Sequence, residues 1–157
     1  MGQLIFRKLT QAELGSASEL LTQTNRGVTP QELADDLVRS LGRWPSLQIG
    51  AFAPDLTLAG LVAGRVDGSD PLLGWSDDIV VGARWRSTGL GSALLTRQLE
   101  AFEGLGCRRV RGLSPRPLYG ALSFFERHGF RVVEKTISRG LWGIADGEEL
   151  CETEKVL

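Results

Sequence analysis

The sequence predicts an α+β domain in which helices cover both faces of a mixed, mostly antiparallel sheet, an α/β/α layering. Three observations predict it. The hydrophobic period switches between about 3.6 and 2 in the order strand, two helices, three strands, helix, strand, helix, strand, with a tail that reads as one more strand. The three consecutive strands are separated only by short turns, as an antiparallel meander requires. A helical segment then separates the strands at 74–83 and 108–113, which implies a right-handed crossover and one parallel pair inside the sheet. At 157 residues the chain has the size of one domain and can bury a core without disulfides or metal, so residues 1–157 are read as a single unit.

The first strand is LIFRKL at 4–9, and Thr10 with Glu13 in TQAE forms a capping box for a helix that runs to Leu21. The second helix is TPQELADDLVRSL at 29–41. Thr29 caps it, Pro30 takes the first helical position and Glu32 lies at the third. Leu33, Leu37, Val38 and Leu41 share a face, and Gly42 is expected to end the helix. The period then falls to two over 47–53, 56–68 and 74–83, with turns at 54–55 and 68–71. Leu95, Leu99 and Phe102 mark a third helix that stops at GLG, 104–106. Beyond the strand at 108–113, Leu118, Ala121, Leu122 and Phe125 align on a fourth helix. Gly129 stands where a left-handed cap belongs, followed by strands at 130–137 and in the tail GEELCETEKVL.

Composition removes several classes. Cys107 and Cys151 have one histidine, His128, to accompany them and no Cys-x-x-Cys spacing, so no metal site is expected and the thiols read as reduced and structural. His128 itself reads as an exposed helix-end residue beside the helix dipole. With neither an apolar leader nor an eighteen-residue apolar run, the expectation is a cytoplasmic protein with no membrane partner. Residues 84–131 hold nine arginines against three acids, whereas the rest holds nine cations against sixteen acids. A basic centre in a chain of net charge −1 points to a local anionic ligand rather than to nucleic acid.

That centre contains RWRSTGLG, 84–91, directly before a helix. Gly89 and Gly91 remove side chains where backbone would meet a ligand, and the first-turn N–H groups of the helix attract negative charge. Arg84 and Arg86 add charge-assisted donors, and Ser87 or Thr88 a hydroxyl. Neither a P-loop nor a dinucleotide fingerprint fits, because no Gly-Lys-Ser/Thr occurs and Leu94 replaces the third glycine. A structural turn would use the same residues.

The segment IVVGARWRSTGLGSALL resembles the acyl-CoA-binding motif of the GNAT superfamily of N-acyltransferases, with Arg86, Gly89 and Gly91 in register and Val81 at the apolar strand end. ALSFFERHGF resembles that family's later helix through Ala121, Phe125, Gly129 and Phe130. The resemblance implies that the amides of residues 86–91 hold the CoA pyrophosphate. It also implies that the thioester arm lies where the strand ending at Val81 splays from its parallel neighbour. Cofactor contacts are then expected from Ile79, Val80, Val81, Arg86, Ser87, Thr88, Gly89, Leu90, Gly91, Ser92 and Phe125, with acetyl-CoA as co-substrate.

Transfer to a primary amine needs a base, since such an amine is protonated near neutrality. Asp77 and Asp78 lead into Val81 and are the candidates; alternation lets only one of them line the cleft. Many family members carry tyrosine where this chain has Phe125, and asparagine where it has Leu118, so the usual proton donor is missing. Tyr119 is the chain's one tyrosine and a poor substitute by helical spacing. Trp44, Trp75, Trp85 and Trp142 read mainly as core, with an aromatic acceptor wall as the alternative. Arg108, Arg109 and Arg111 read either as a solvated strand face or as phosphate contacts. Asp35, Asp36, Glu148, Glu149, Glu152 and Glu154 hint at a cationic acceptor, a small molecule or peptide. The expected activity is acetyl transfer by direct attack in a ternary complex; an acyl-CoA-binding module with weak catalysis is the alternative. A homodimer, with the C-terminal strand at its interface, is a further expectation.

Overall fold

In the computed structural model, which describes residues 3–23, 28–115, 121–137 and 149–157, the chain runs β1 (Ile5–Lys8), α1 (Leu14–Leu21), α2 (Pro30–Arg43), β2 (Ile49–Phe52), β3 (Leu58–Val66), β4 (Leu73–Val81), α3 (Leu90–Gly104), β5 (Arg109–Pro115), α4 (Ala121–Arg127), β6 (Arg131–Ile137) and β7 (Glu149–Val156). The strands form one sheet in the order β1-β2-β3-β4-β5-β7-β6. Only β4 and β5 pair in parallel, as the crossover through α3 predicts.

Both capping boxes form. Thr29 Oγ1 accepts from the Glu32 N–H at 3.1 Å, and the Thr29 N–H donates to Glu32 Oε2 at 3.0 Å. Thr10 and Glu13 do the same ahead of a short 3₁₀ turn that leads into α1. Gly42 does not end α2, which continues to Arg43. Trp44 ends it, because the residue before Pro45 is driven out of the helical region, here to φ −136° and ψ 65°. Pro45–Leu47 makes a 3₁₀ turn, which delays β2 to Ile49.

The core has two sides. Leu33 and Leu37 of α2 pack with Leu21, Leu61 and Ala63 on one face of the sheet. On the other, Leu90 and Leu94 of α3 meet Ile49 and Val62, while Leu95 and Phe102 join Val110, Phe125 and Phe130.

The tail is a strand, yet not at an edge. β7 inserts between β5 and β6, antiparallel to both, so its two backbone edges are already paired and it offers none for a dimer ladder. Among the described residues the sheet edges are β1 and β6. No helix among the described residues is long and apolar enough to cross a membrane.

Candidate active site

β4 and β5 pair only at Leu73 with Arg109, Gly74 with Val110 and Trp75 with Arg111. Beyond these, β4 stays with β3 as far as Val81 and β5 stays with β7 as far as Pro115. The sheet therefore splits, and the split opens into a cleft of about 1100 Å³. Gly82 N–H donates to Ala59 O at 2.8 Å. Antiparallel alternation then turns Val80 toward β3, and the N–H and C=O groups of Ile79 and Val81 toward the split. The Val81 carbonyl accepts from Arg86 Nε at 3.4 Å.

A β-bulge interrupts β4 at the head of the split: Ala63 pairs with Asp78 and Gly64 with Ser76, so Asp77 is the extra residue. Two buried amides hold the surrounding backbone. Gln48 accepts from Gly64 N–H at 3.1 Å and donates to Gly64 O at 2.7 Å, extending the β2 ladder where that strand has not yet begun. Gln98 accepts from Ser76 Oγ at 2.7 Å and donates to Leu47 O at 3.0 Å. Because the bulge breaks alternation, the expectation that one carboxylate alone lines the cleft fails, and Asp77 and Asp78 both border it.

The Asp77 carboxyl is pushed up to about 7 from its ordinary 3.8. Crowding by protein is the main cause and the neighbouring Asp78 charge adds to it, while Arg65 opposes both. Arg65 Nε lies 3.2 Å from Asp77 Oδ2, and 37% of the Asp77 side chain is open to solvent. Asp77 lines the cleft. Asp77 is thus half-ionised near neutrality, a property that the sequence carries no sign of.

At the far end of β4 the chain makes a 3₁₀ turn at Ala83–Trp85 and passes through Ser87 at φ 62° and Gly89 at φ 84° before α3 begins. No side chain caps α3. Gly89 is needed for its backbone conformation. Gly91 is not: a Cβ there would lie 3.6 Å from Phe124 and 3.7 Å from Val81, ordinary contacts. The absence of a side chain at Gly91 therefore has no internal cause and keeps the N–H groups of Leu90, Gly91 and Ser92 approachable from outside. Thr88 Oγ1 is turned back onto Trp85 O, and Arg86 reaches Gln23 Oε1 at 3.1 Å.

Phe125 is 8% exposed and packs edge-on with Phe130, ring centroids 5.0 Å apart. It belongs to the core as well as to the cleft floor. His128 is half-buried rather than exposed: its Nε2 lies 2.9 Å from Ser92 Oγ, tying the end of α4 to the first turn of α3. Burial, with Lys155 and Arg127 nearby, lowers its pKa. This disfavours the charged imidazole, and the hydrogen bond to Ser92 stands where a charge–dipole role was expected.

The acids of the tail are engaged. Arg111 binds Glu152 at 2.8 Å and Glu154 at 2.6 Å, and Arg109 binds Asp70 at 2.7 Å and Glu154 at 3.2 Å. These groups brace the β5–β7 face, so Arg109 and Arg111 are neither free for phosphate nor Glu152 and Glu154 for a cationic acceptor. Asp36 pairs with Arg39. Trp75 donates to Asp67 at 3.0 Å, and Trp44 and Trp85 pack against the core. Leu118, Tyr119, Trp142 and Glu148 lie outside the described residues. Among the described residues no cluster of His, Cys, Asp and Glu could hold a metal ion. The sequence reading missed Arg65, Gln48, Gln98 and Ser114, which carry no local motif and meet the site only through the fold.

A family model described as "Acetyltransferase (GNAT) family" matches residues 16–130. No curated protein matches in sequence. Among solved structures, Ard1 from Thermoplasma volcanium superimposes with a TM-score of 0.83 at 18% identity, over 98% of this chain and 97% of that one. The NatC complex bound to Gag peptide and CoA gives 0.83 at 15% identity, over 100% and 99% of the two chains. A GNAT-family acetyltransferase from Streptococcus pneumoniae gives 0.76 at 22% identity, over 99% of each.

Proposed function

This chain belongs to the GNAT acetyltransferase family, and on that premise we propose that it transfers an acetyl group from acetyl-CoA to a primary amine, on a small molecule or a peptide, by direct attack in a ternary complex. The parting of β4 from β5 beside an uncapped helix start is the observation that carries this reading. The N–H groups at residues 90–92 and the side chain of Arg86 suit a pyrophosphate. The exposed edge of Ile79 and Val81 suits the amides of an extended pantetheine arm in the manner of an added strand. Those N–H groups also polarise a thioester carbonyl placed against them.

Asp77 is the base. An amine of pKa about 10.4 must lose a proton before or during attack, and a base titrating near the working pH combines availability with driving force. Its carboxyl at about 7 meets that condition, whereas an ordinary aspartate would be too weak. Phe125 has no proton to give and favours a second reading, an acyl-CoA-binding module without efficient turnover.

Thermal unfolding with and without acetyl-CoA, followed by amine-dependent release of CoA thiol across a panel of amines, tests both. Stabilisation that grows with ligand concentration together with thiol release supports the transferase. Stabilisation without release on any amine supports the module, and no shift at saturating acetyl-CoA overturns both.

A further inference from the structure

Among the described residues one buried side-chain atom has no hydrogen-bond partner, the hydroxyl oxygen of Ser114. The residue is 1% exposed and lines the cleft. A hydroxyl withdrawn from water and left unmatched destabilises a fold, so its retention calls for a partner that arrives from outside.

Its place in the split says which partner. The last β4–β5 pair is Trp75 with Arg111, and Ser114 follows on β5 by three residues, as Asp78 does on β4. Ser114 therefore lies at the depth of the Asp77 bulge, midway between the start of the split and Val81 at the end of β4. It shares a β5 face with Gly112, where a Cβ would come within 3.1 Å of the Phe125 ring. The Phe125 side chain offers that region no polar atom. Ser76, the other hydroxyl at this depth, is committed to Gln98 at 2.7 Å. A carbonyl held against β4 has backbone N–H groups for its oxygen, whereas a departing sulfur finds its donor on the opposite wall.

We propose that Ser114 is a catalytic residue of the acyl transfer, its hydroxyl donating a hydrogen bond to the thioester sulfur as the carbon–sulfur bond breaks; this rests on the transferase reading above. The amine nitrogen forms the new carbon–nitrogen bond and its proton passes to Asp77. The electron pair of the broken bond leaves on sulfur as a thiolate, which Ser114 holds until solvent protonates it. Asp77 then releases its proton to solvent, and Ser114 keeps its own throughout.

The test uses CoA and needs no acceptor. The affinity of the wild-type protein and of Ser114→Ala for CoA is titrated across pH, which reports the pKa of the bound thiol. A free thiol titrates near about 8.5. The expected result is a bound value below this in the wild type and a bound thiol roughly ten-fold less acidic than that in Ser114→Ala, as loss of a hydrogen bond to a charged group predicts. With an amine that turns over, kcat falls roughly 10- to 100-fold in the variant with KM for acetyl-CoA unchanged. The melting temperature stays level or rises, because an unmatched hydroxyl has been removed. A wild-type bound thiol at or above its free value, or identical values in the two proteins, overturns the proposal while leaving the transferase reading intact. Failure of the wild type to bind CoA removes the transferase reading and this one with it.

Discussion

The framework and the cleft of this molecule treat their polar groups in opposite ways. In the framework the chain matches its own polar groups: α2 opens on the reciprocal Thr29–Glu32 bonds, Gln48 satisfies both backbone groups of Gly64, and Arg109 and Arg111 are locked to three carboxylates. In the cleft several groups are left without such a match. Among the described residues α3 opens without a side-chain cap, the β4 edge at Ile79 and Val81 has parted from β5, and Ser114 Oγ has no partner. Asp77 sits where its charge is disfavoured. Unmatched groups in a native chain cost stability, and under the proposed function an external molecule completes the hydrogen bonding along this crevice. Removing a framework group should lower stability and spare ligand binding; removing a cleft group should do the reverse.

Asp77→Asn should break this contrast most visibly. We expect kcat to fall by about 10²- to 10⁴-fold, the usual contribution of a general base, with loss of the activity limb that rises through pH 7 in the wild type. Stability should move the other way. As pH rises from about 4 to about 7 the unfolded chain gives up the Asp77 proton first, so the native state loses stability across that window and the loss is complete above it. The variant should escape this loss and melt higher than the wild type at pH 8. Equal melting curves at pH 8 would show that the carboxylate is not disfavoured in the fold.

Gln48→Ala should be the matching lesion in the framework. It strips partners from the buried N–H and C=O of Gly64 and is expected to cost roughly 3 kcal/mol by denaturant unfolding, at about 1–3 kcal/mol for each unmatched group. If stability survives but activity vanishes, the bulge and not the framework depends on Gln48. Gly89→Asp sharpens the cleft side: a carboxylate at the start of α3 should weaken acetyl-CoA binding about 100-fold through like-charge repulsion, read as loss of ligand-induced stabilisation. Thr29→Ala has the smallest expected effect, about 1 kcal/mol of stability from a lost cap, with the acetyl-CoA stabilisation unchanged.

Much of the fold was legible because its signals are local. Capping boxes, the Pro30 start and helical spacing in α2 name their element within a few residues, and the αL glycine at 129 is found where the end of α4 was expected. The glycine turn was legible for the same reason. Gly42 misled because Pro45, three residues on, decided where α2 ended. The position of β7 between β5 and β6 was not legible, since strand order depends on which hydrophobic faces meet and not on the order of synthesis. Nor was the bulge at Asp77, which depends on the register against β3.

By itself the sequence determined the layered α+β class, the single parallel pair, the glycine turn at 84–91 that leads into α3 and the pair of carboxylates leading into Val81. All of these rest on residue type and spacing within one element or across one connection. Only the tertiary structure decided that the split begins after Trp75 and Arg111, that Asp77 and Asp78 both reach the cleft, that burial against the opposing charge of Arg65 sets the Asp77 carboxyl near neutrality, and that Ser114 on β5 is unmatched among the described residues. Each of these joins groups from different strands, and burial, register and unmet hydrogen bonds come into being only when those strands are brought side by side.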